Sequence, residues 1–239
     1  MESEMTDTYR FAERCVQITG IVPEVHSLCS SYASGGPADF SVGITQADIE
    51  RERSLSDHPA SSDRYLEILA VYRKIAEKMP GFDTVLFHGS AIAVDGQAYI
   101  FTAKSGTGKS THARLWRELL GERAVMVNDD KPLIRIPEDG SSIVYGTPWD
   151  GKHHLSTNIG VPVKAVCILE QAAENRIREI TKAEALPTLL QQVYRPADVL
   201  SMKKTLDLIE RWQPGLYRLS CNMEISAAEL SYNAMRGES

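Results

Sequence analysis

The sequence predicts an α/β fold built on a mixed β-sheet. The strand-like run Gln97–Thr102 leads into a glycine-rich turn, after which apolar residues recur at helical spacing. A second apolar run, Ala124–Asn128, follows that helix and completes a strand–loop–helix–strand unit. The dipeptide Asp95-Gly96 separates Gln97–Thr102 from the earlier run Thr84–Val94 and is typical of a tight hairpin, so the sheet also contains an antiparallel pair.

The same patterns extend the sheet beyond this unit. The runs Ser142–Tyr145 and Val163–Leu169 predict two further strands. From about Lys182 onward the pattern is helical, with one strand candidate at Leu216–Cys221. The predicted fold therefore has a mixed-sheet core and a helical C-terminal part.

A small α+β module is predicted for residues 1–57, ahead of a larger α/β domain in residues 58–239. Cys15–Thr19 and Phe40–Ile44 are short strand candidates between turn-rich segments, and the polar stretch Ser54–Ser62 is typical of a linker. From Asp63, a helix is predicted whose core-facing stripe comprises Tyr65, Ile68, Leu69, Tyr72, Ile75, Ala76 and Met79.

Composition excludes several classes of protein. The net charge is −6 and the basic residues are not clustered, so neither nucleic acid nor an anionic membrane surface is an expected partner. The four cysteines are far apart, without CxxC pairs, which argues against a disulfide framework or a zinc site. The acidic first residues do not resemble a signal peptide, and no apolar run approaches the ~20 residues of a membrane span. We therefore expect a cytoplasmic protein.

The glycine-rich turn at positions 103–110 is the strongest chemical signal. A phosphate-binding loop needs glycines that turn backbone N–H groups toward an anion, followed by the N-terminus of a helix. Lys109 is expected to reach the β- and γ-phosphates of a nucleotide, and the Ser110 hydroxyl to ligate Mg²⁺. The predicted nucleotide-binding residues are Ser105, Gly106, Thr107, Gly108, Lys109, Ser110 and Thr111.

Two other interpretations of this turn compete. The strict pattern has glycine at the position of Ala103, so a glycine-rich turn with a chance Lys-Ser pair is one alternative. Gly106 and Gly108 also begin a dinucleotide-binding GxGxxG pattern, but Thr111 stands where its third glycine belongs. The flanking strand and helix favour the phosphate-binding loop.

Two adjacent carboxylates are predicted at the end of the second strand. Asp129 and Asp130 follow Ala124–Asn128, where a βαβ unit would return its second strand beside the first. One of them can hold Mg²⁺ while the other accepts a proton from an attacking hydroxyl. A solvated turn ahead of Lys131-Pro132 is the alternative interpretation.

Two further candidates are less specific. His88, in the strand run before the hairpin turn, is typical of a buried core or edge residue when taken alone. The loop from Gly146 to His154 resembles a substrate lid in which Lys152 meets phosphate and Trp149 excludes water, or an exposed turn anchored by that tryptophan. The neighbouring pair His153-His154 is not expected to share one metal, because adjacent side chains on an extended segment point apart.

Together, His88-Gly89, the Ser105–Ser110 loop and the Asp129-Asp130 pair resemble the HPr kinase/phosphorylase family, which is related to the ATP-dependent phosphoenolpyruvate carboxykinases. The resemblance covers about residues 84–170. It implies a P-loop kinase that uses ATP and Mg²⁺ to phosphorylate a serine-type hydroxyl. It also implies that Lys109 and Ser110 hold the triphosphate and metal.

The resemblance also implies that Asp129 and His88 accept the proton and that Asp130 binds the metal. The roles of the two aspartates could be reversed. Lys152 is a further catalytic candidate. The sequence departs from the pattern of this family in two segments. The segment Tyr145–Lys152 replaces the expected glycine-rich signature, and the first 80 or so residues do not resemble the regulatory domain of the family.

The chain is more similar to short HPr-kinase-like proteins of bacteria, and this resemblance implies a free amino acid, a peptide or a carrier protein as the acceptor, without selecting among them. Enzymes of this family are often homo-oligomers. Two other functions stay open: a nucleotide-binding sensor or scaffold without phosphoryl transfer, which Ala103 would favour, and a small carboxykinase acting on a keto acid.

Overall fold

A computed structural model describes residues 5–56, 60–151 and 153–237. The chain divides into two compact units between Met79 and Pro80. The first unit contains β1 (Met5–Phe11), β2 (Arg14–Gly20), α1 (Pro23–Leu28), β3 (Phe40–Gly43), α2 (Gln46–Leu55) and α3 (Asp63–Lys78). In its sheet, β2 pairs antiparallel with β1 and parallel with β3.

The boundary between the units differs from the predicted one. The predicted division at residues 57 and 58 falls outside the described residues. Because α3 packs on α1, α2 and β3, the helix groups with the first unit. Arg73 of α3 forms an ion pair with Glu52 of α2, and Lys74 Nζ lies 2.6 Å from Asp48 Oδ2.

The helix α3 is confirmed, and Ile75, Ala76 and Met79 of the predicted stripe are buried, but its first turn faces the core through other residues. Tyr65 is 51% exposed, whereas Leu66 is fully buried. Glu67 is also buried, and its Oε1 accepts bonds from the backbone N–H groups of Ile21 (2.6 Å) and Val22 (3.3 Å). Apolar residues lie on neighbouring rows of this helix, so the spacing alone did not select the core-facing row.

The second unit contains the larger mixed sheet. Its elements are β4 (Thr84–Leu86), β5 (Ser90–Val94), β6 (Gln97–Thr102), α4 (Lys109–Leu120), β7 (Ala124–Asn128), β8 (Leu133–Arg135), β9 (Ile143–Tyr145), β10 (Gly160–Gln171), β11 (Arg176–Glu179), α5 (Lys182–Gln192), α6 (Val199–Arg211), β12 (Gly215–Cys221) and α7 (Ile225–Arg236). The predicted α/β class and the helical C-terminal part are confirmed.

The strands run in the order β4-β8-β9-β10-β6-β5-β7, with β12 on β10 and β11 on β12. The predicted hairpin is present as β5 and β6, and both Asp95 (φ 51°) and Gly96 (φ 79°) have positive φ at its turn. The predicted strand Thr84–Val94 is instead two strands, because the chain leaves β4 and approaches β6 closely at Gly89. A Cβ there would lie 2.9 Å from the Phe101 carbonyl oxygen.

The βαβ prediction placed β7 directly beside β6, but in the structure these two strands are not neighbours. The antiparallel strand β5 lies between them and pairs with both. Consequently β6 and β7 are parallel to each other, and β10 is parallel to β6. The carboxyl ends of these three strands therefore meet at one edge of the sheet.

Helices cover both faces of this sheet. Residues of α5 and α6, with Trp212, pack in one core cluster against β10 and β6. Residues of α4 and α7, with Trp116 and Tyr232, pack in a second cluster on the opposite face. Among the described residues, no helix combines the length and the apolar character of a membrane crossing.

Candidate functional site

The glycine-rich loop connects the carboxyl end of β6 to the start of α4. Gly106 (φ 78°) and Gly108 (φ 110°) both adopt the left-handed region that favours glycine. Ala103 is not among the described residues with positive φ, and its side chain is buried in the core beside α4. An alanine at this position therefore fits the loop without backbone strain.

The N-terminus of α4 is suited to an anion. Its N-cap residue is Gly108, so no side chain caps the helix. The first N–H groups of a helix have no intrahelical acceptor, and the helix dipole adds partial positive charge at this end. Gln171 steadies the loop from β10, since its Nε2 lies 3.5 Å from the Gly106 carbonyl oxygen and 3.4 Å from that of Thr107.

Lys109 brings a buried cation to this loop. Its side chain is only 8% exposed, and Nζ donates to the Ala103 carbonyl oxygen at 3.1 Å. Burial lowers the pKa of Lys109, although Asp130 and Asp129 oppose that shift. A buried ammonium group is stabilised by an anionic partner, and a phosphate would supply one.

Asp129 is the buried carboxylate of the site. The Ser90 hydroxyl donates to its Oδ1 at 2.8 Å, and Ser110 lines the same cleft. Burial raises the pKa of Asp129 above its ordinary value, while the two serine hydroxyls and the nearby His153 partly oppose that rise. The sequence analysis did not identify Ser90, because only the pairing of β5 with β7 brings this residue next to Asp129.

Asp130 lies in a more polar environment and pairs with His88. Its Oδ1 lies 3.3 Å from His88 Nε2, and its Oδ2 lies 2.6 Å from Lys131 Nζ. Burial acts to raise the pKa of Asp130, but the bonds from His88 and the charge of Lys131 outweigh it, so the pKa is lowered. Thus His88 is in contact with Asp130, whereas the family resemblance groups it with Asp129.

The direction of the two aspartates is set by Asn128, which the sequence analysis did not single out. Asn128 is fully buried, and its Oδ1 accepts from the backbone N–H groups of Asp130 (2.9 Å) and Lys131 (2.7 Å). Its Nδ2 donates to the carbonyl and hydroxyl oxygens of Thr147, each at 3.0 Å. An asparagine that closes an Asx turn after a strand is the signal that could have identified it.

The loop after β9 borders the same site. A Cβ at Gly151 would lie 3.4 Å from Asp130 Cβ, so this loop passes close to the carboxylate pair. Asp150 is buried and shapes the loop, because its Oδ2 accepts from the backbone N–H (3.0 Å) and the hydroxyl (2.9 Å) of Ser156. Trp149 is buried beside it. Lys152 lies outside the described residues.

These groups line one cleft of about 580 Å³. Of the predicted site residues that the structure describes, the cleft contains all but Thr107: His88, Ser105, Gly106, Gly108, Lys109, Ser110, Thr111, Asp129 and Asp130, together with Gly151 and His153. Its volume is in the range of small-molecule sites. Thr107 lines a separate pocket of about 350 Å³ between the loop and β10.

The donor set of the cleft is suited to Mg²⁺ bound together with phosphates. The described residues hold no group of three or more His, Cys, Asp or Glu side chains arranged for a metal. Mg²⁺ in nucleotide sites usually takes one or two protein oxygens, completed by phosphate oxygens and waters. The Ser110 hydroxyl and the carboxylates of Asp129 and Asp130 are such oxygens, and all three line the cleft.

Comparison with known proteins relates the chain to one family and to solved structures. Residues 55–223 match the family described as "SynChlorMet cassette protein ScmC". The structure of the Hpr(Ser) kinase/phosphatase from Coxiella burnetii is similar to 64% of this chain and 99% of that one, with 10% identity and a TM-score of 0.35. No curated protein matches the chain.

Proposed function

The chain belongs to the SynChlorMet cassette protein ScmC family, and from its cleft we propose a Mg²⁺-dependent kinase that transfers the γ-phosphoryl group of ATP to a serine-type hydroxyl. The acceptor is a free amino acid, a peptide or a carrier protein. One observation carries the proposal. The buried ammonium group of Lys109, at the uncapped N-terminus of α4, shares a cleft with two carboxylates of unlike environment.

The loop and Lys109 bind and orient the phosphates in this mechanism. Backbone N–H groups at the start of α4 and the Lys109 ammonium group are directed to phosphate oxygens, which compensate the charge that Lys109 buries. Fixing the transferred group in line with the acceptor accounts for most of the catalysis in this class of reaction. Lys152 remains a predicted phosphate contact.

Mg²⁺, when bound, would neutralise the charge of the phosphates and draw electron density from the leaving group. The Ser110 hydroxyl and Asp130 are the residues we assign to it. Asp130 suits this role because its lowered pKa keeps it ionised at neutral pH. His88 and Lys131 fix the direction of its carboxylate, so we assign to His88 an orienting role on Asp130.

Asp129 accepts the proton of the acceptor hydroxyl. Its burial raises its pKa toward the range in which a carboxylate acts as a base, and the Ser90 hydroxyl holds its Oδ1 in place. As the acceptor oxygen bonds to the γ-phosphorus, the bond from that phosphorus to the β–γ bridging oxygen breaks and ADP leaves. The hydroxyl proton passes to the Asp129 carboxylate.

The conformation of Ala103 does not favour a sensor that binds nucleotide without phosphoryl transfer. It packs in the core without positive φ, and its carbonyl oxygen accepts from Lys109 Nζ. The departure from the strict loop pattern is therefore compatible with a catalytic loop.

The proposal is tested by incubating the protein with ATP and Mg²⁺ and a panel of free serine, threonine, serine-containing peptides and carrier proteins. Mass spectrometry of each acceptor is expected to detect a phosphorylated product. ATP binding without any product would support a sensor and contradict the proposal. Nucleotide consumption that requires CO₂ and a keto acid would support a carboxykinase instead.

A further inference from the structure

A groove runs from the carboxylate site along α4, beside the edge strand β7. It encloses about 430 Å³. Its lining includes Ser110 and Asp129 at one end, Arg114 and Arg117 along the helix, and the apolar side chains of Met126 and Leu155. Since Ser110 and Asp129 also line the central cleft, the groove opens directly onto the site of transfer.

The groove residues on α4 lie on one face of the helix. Ser110, Arg114 and Arg117 follow the i, i+4, i+7 spacing that aligns side chains on one side. At a rise of ~1.5 Å per residue, the two arginine Cα atoms lie about 6 and 10 Å from that of Ser110 along the axis. Both arginines line the groove, and the Arg114 guanidinium group pairs with Glu118 one turn further along the helix.

The two arginines place positive charge where the fold does not require it. Both are exposed. Arg114 forms an exposed ion pair with Glu118, and Arg117 has no ion-pair partner among the residues that the structure describes. An exposed pair such as Arg114–Glu118 contributes little stability and can exchange its partner at low cost. Guanidinium groups are well matched to carboxylates, which they can bind through two parallel hydrogen bonds.

We propose that this groove binds the phosphoryl acceptor, and that the acceptor carries, besides its reactive hydroxyl, a carboxylate within reach of the two arginine side chains. The inference rests on the proposed function. The hydroxyl lies at Asp129, and the carboxylate pairs with Arg117 and with Arg114. The apolar surface of Met126 and Leu155 takes the aliphatic part between them. A free amino acid and an acidic side chain in a peptide share this chemistry.

A second pocket lies on the opposite side of the loop from the groove. The pocket of Lys104, Thr107 and Gln171 lies toward β10 and shares no residue with the groove along α4. If that pocket holds the nucleoside, the arginines do not contact the nucleotide. Substitutions in the groove then change the KM of the acceptor and leave the KM of ATP unchanged.

The test compares acceptors that differ in a single charge. The probes are the N-acetylated, C-amidated dipeptides seryl-glutamate and seryl-glutamine, with free serine and serinamide as the shorter pair. We expect phosphorylation of the acidic member of at least one pair with a KM at least ~10-fold lower than that of its neutral partner, as about 1.4 kcal/mol would give. Preference within the serine pair would indicate a free amino acid, and preference within the dipeptide pair an acidic peptide.

Variants connect this preference to the groove. Arg117→Glu and the double variant Arg114→Ala/Arg117→Ala are expected to remove the preference and to raise the KM of the acidic acceptor roughly 10-fold, with the KM of ATP unchanged. Arg176→Ala, an exposed arginine on β11, is the control and should behave as wild type. Equal KM values for acidic and neutral acceptors, or a change confined to the KM of ATP, would overturn the assignment of the groove.

Equilibrium binding separates this inference from the proposed function. Binding of the two dipeptides to the intact protein is measured by calorimetry without nucleotide. Binding of the acidic dipeptide that Arg117→Glu abolishes, without any transfer, would keep the groove and contradict the kinase. Transfer that is indifferent to the carboxylate and to Arg117 would keep the kinase and contradict the groove. Neither binding nor transfer would contradict both.

Discussion

The ammonium group of Lys109 lies in an environment that disfavours its charge. Burial lowers its pKa, and the two aspartates compensate only in part. Residues arranged for function commonly carry such a cost in the free protein. For Lys109 the cost is recovered when a phosphate enters the cleft.

Lys109→Met tests this view because methionine fills similar volume without the charge. The melting temperature of the nucleotide-free variant is expected to equal or exceed that of the wild type, since a desolvated charge is removed. The increase in melting temperature that MgATP gives the wild type should be lost, together with turnover. Lys203→Met, at an exposed position on α6, is the control. A destabilised variant that still responds to MgATP would contradict the role of Lys109.

At the scale of elements, one serine hydroxyl of α7 connects that helix to two side chains of α4. Ser231 Oγ lies 2.8 Å from Trp116 Nε1 and 3.0 Å from His112 Nε2, and it donates to the Ala228 carbonyl oxygen. Because the single hydroxyl proton goes to Ala228, both rings must donate to Ser231. Burial lowers the pKa of His112 to about 4, so its ring is neutral at pH 7.

Ser231→Ala should therefore destabilise the protein by roughly 2–4 kcal/mol, because two buried N–H donors lose their acceptor. Ser226→Ala on the same helix removes an exposed hydroxyl that accepts from Asn175 Nδ2, and it should change stability by less than about 0.5 kcal/mol. Urea denaturation of both variants measures the difference. Equal stabilities would show that the hydroxyl of Ser231 does not hold α4 to α7.

The start of α5 gives a prediction for acid stability. Glu184 closes a capping box with Thr181 and pairs with Arg178. Its pKa is lowered to about 2 from 4.5, first by the hydrogen bond from Arg178 and then by the bonds from Thr181. For a carboxylate with a lowered folded pKa, the stabilisation is present above pH 4.5 and is lost as the pH falls toward about 2.

Glu184→Gln keeps a capping residue but removes the charge. The variant is expected to lose less stability than the wild type between pH 5 and pH 3, as measured by melting temperature. Glu229→Gln, at an exposed position on α7, is the control and should follow the wild type. Parallel pH profiles for the wild type and Glu184→Gln would contradict the assigned ion pair and cap.

The sequence was most informative where local chemistry determines structure. Gly106 and Gly108 lie at positions with positive φ, which favours glycine, and the dipeptide Asp95-Gly96 is typical of a tight turn. The loop and the hairpin could therefore be predicted from single positions. The buried face at the start of α3 could not be predicted in this way. Tyr65 and Leu66 are both apolar, and only tertiary packing determines which of them is buried.

Contacts between distant parts of the chain were the main omission in the site. Ser90 reaches Asp129 only through the pairing of β5 with β7, and Asn128 is fixed through Thr147 in a later loop. Likewise, the pairing of His88 with Asp130 depends on where β4 ends and β5 begins. Such contacts leave no periodic signal in the sequence.

At the scale of the whole molecule, the mixed sheet explains why the site lies where it does. The antiparallel strand β5 separates β6 from β7 and keeps them parallel, so that the loop and the two aspartates leave the sheet at the same edge. Ligands of α/β proteins commonly bind beyond the carboxyl ends of parallel strands. The cleft lies wholly within the second unit, which residues 80–239 form.

Asp129→Asn separates phosphate transfer with Asp129 as the proton acceptor from nucleotide binding without transfer. Phosphorylated acceptor is quantified by mass spectrometry, and MgATP affinity is measured by calorimetry, for the wild type, Asp129→Asn and Asp130→Asn. We predict that Asp129→Asn lowers transfer by about 10²- to 10⁴-fold and leaves MgATP affinity within a few-fold, whereas Asp130→Asn weakens MgATP binding. Transfer near the wild-type rate in Asp129→Asn, or loss of its MgATP affinity, would contradict the account.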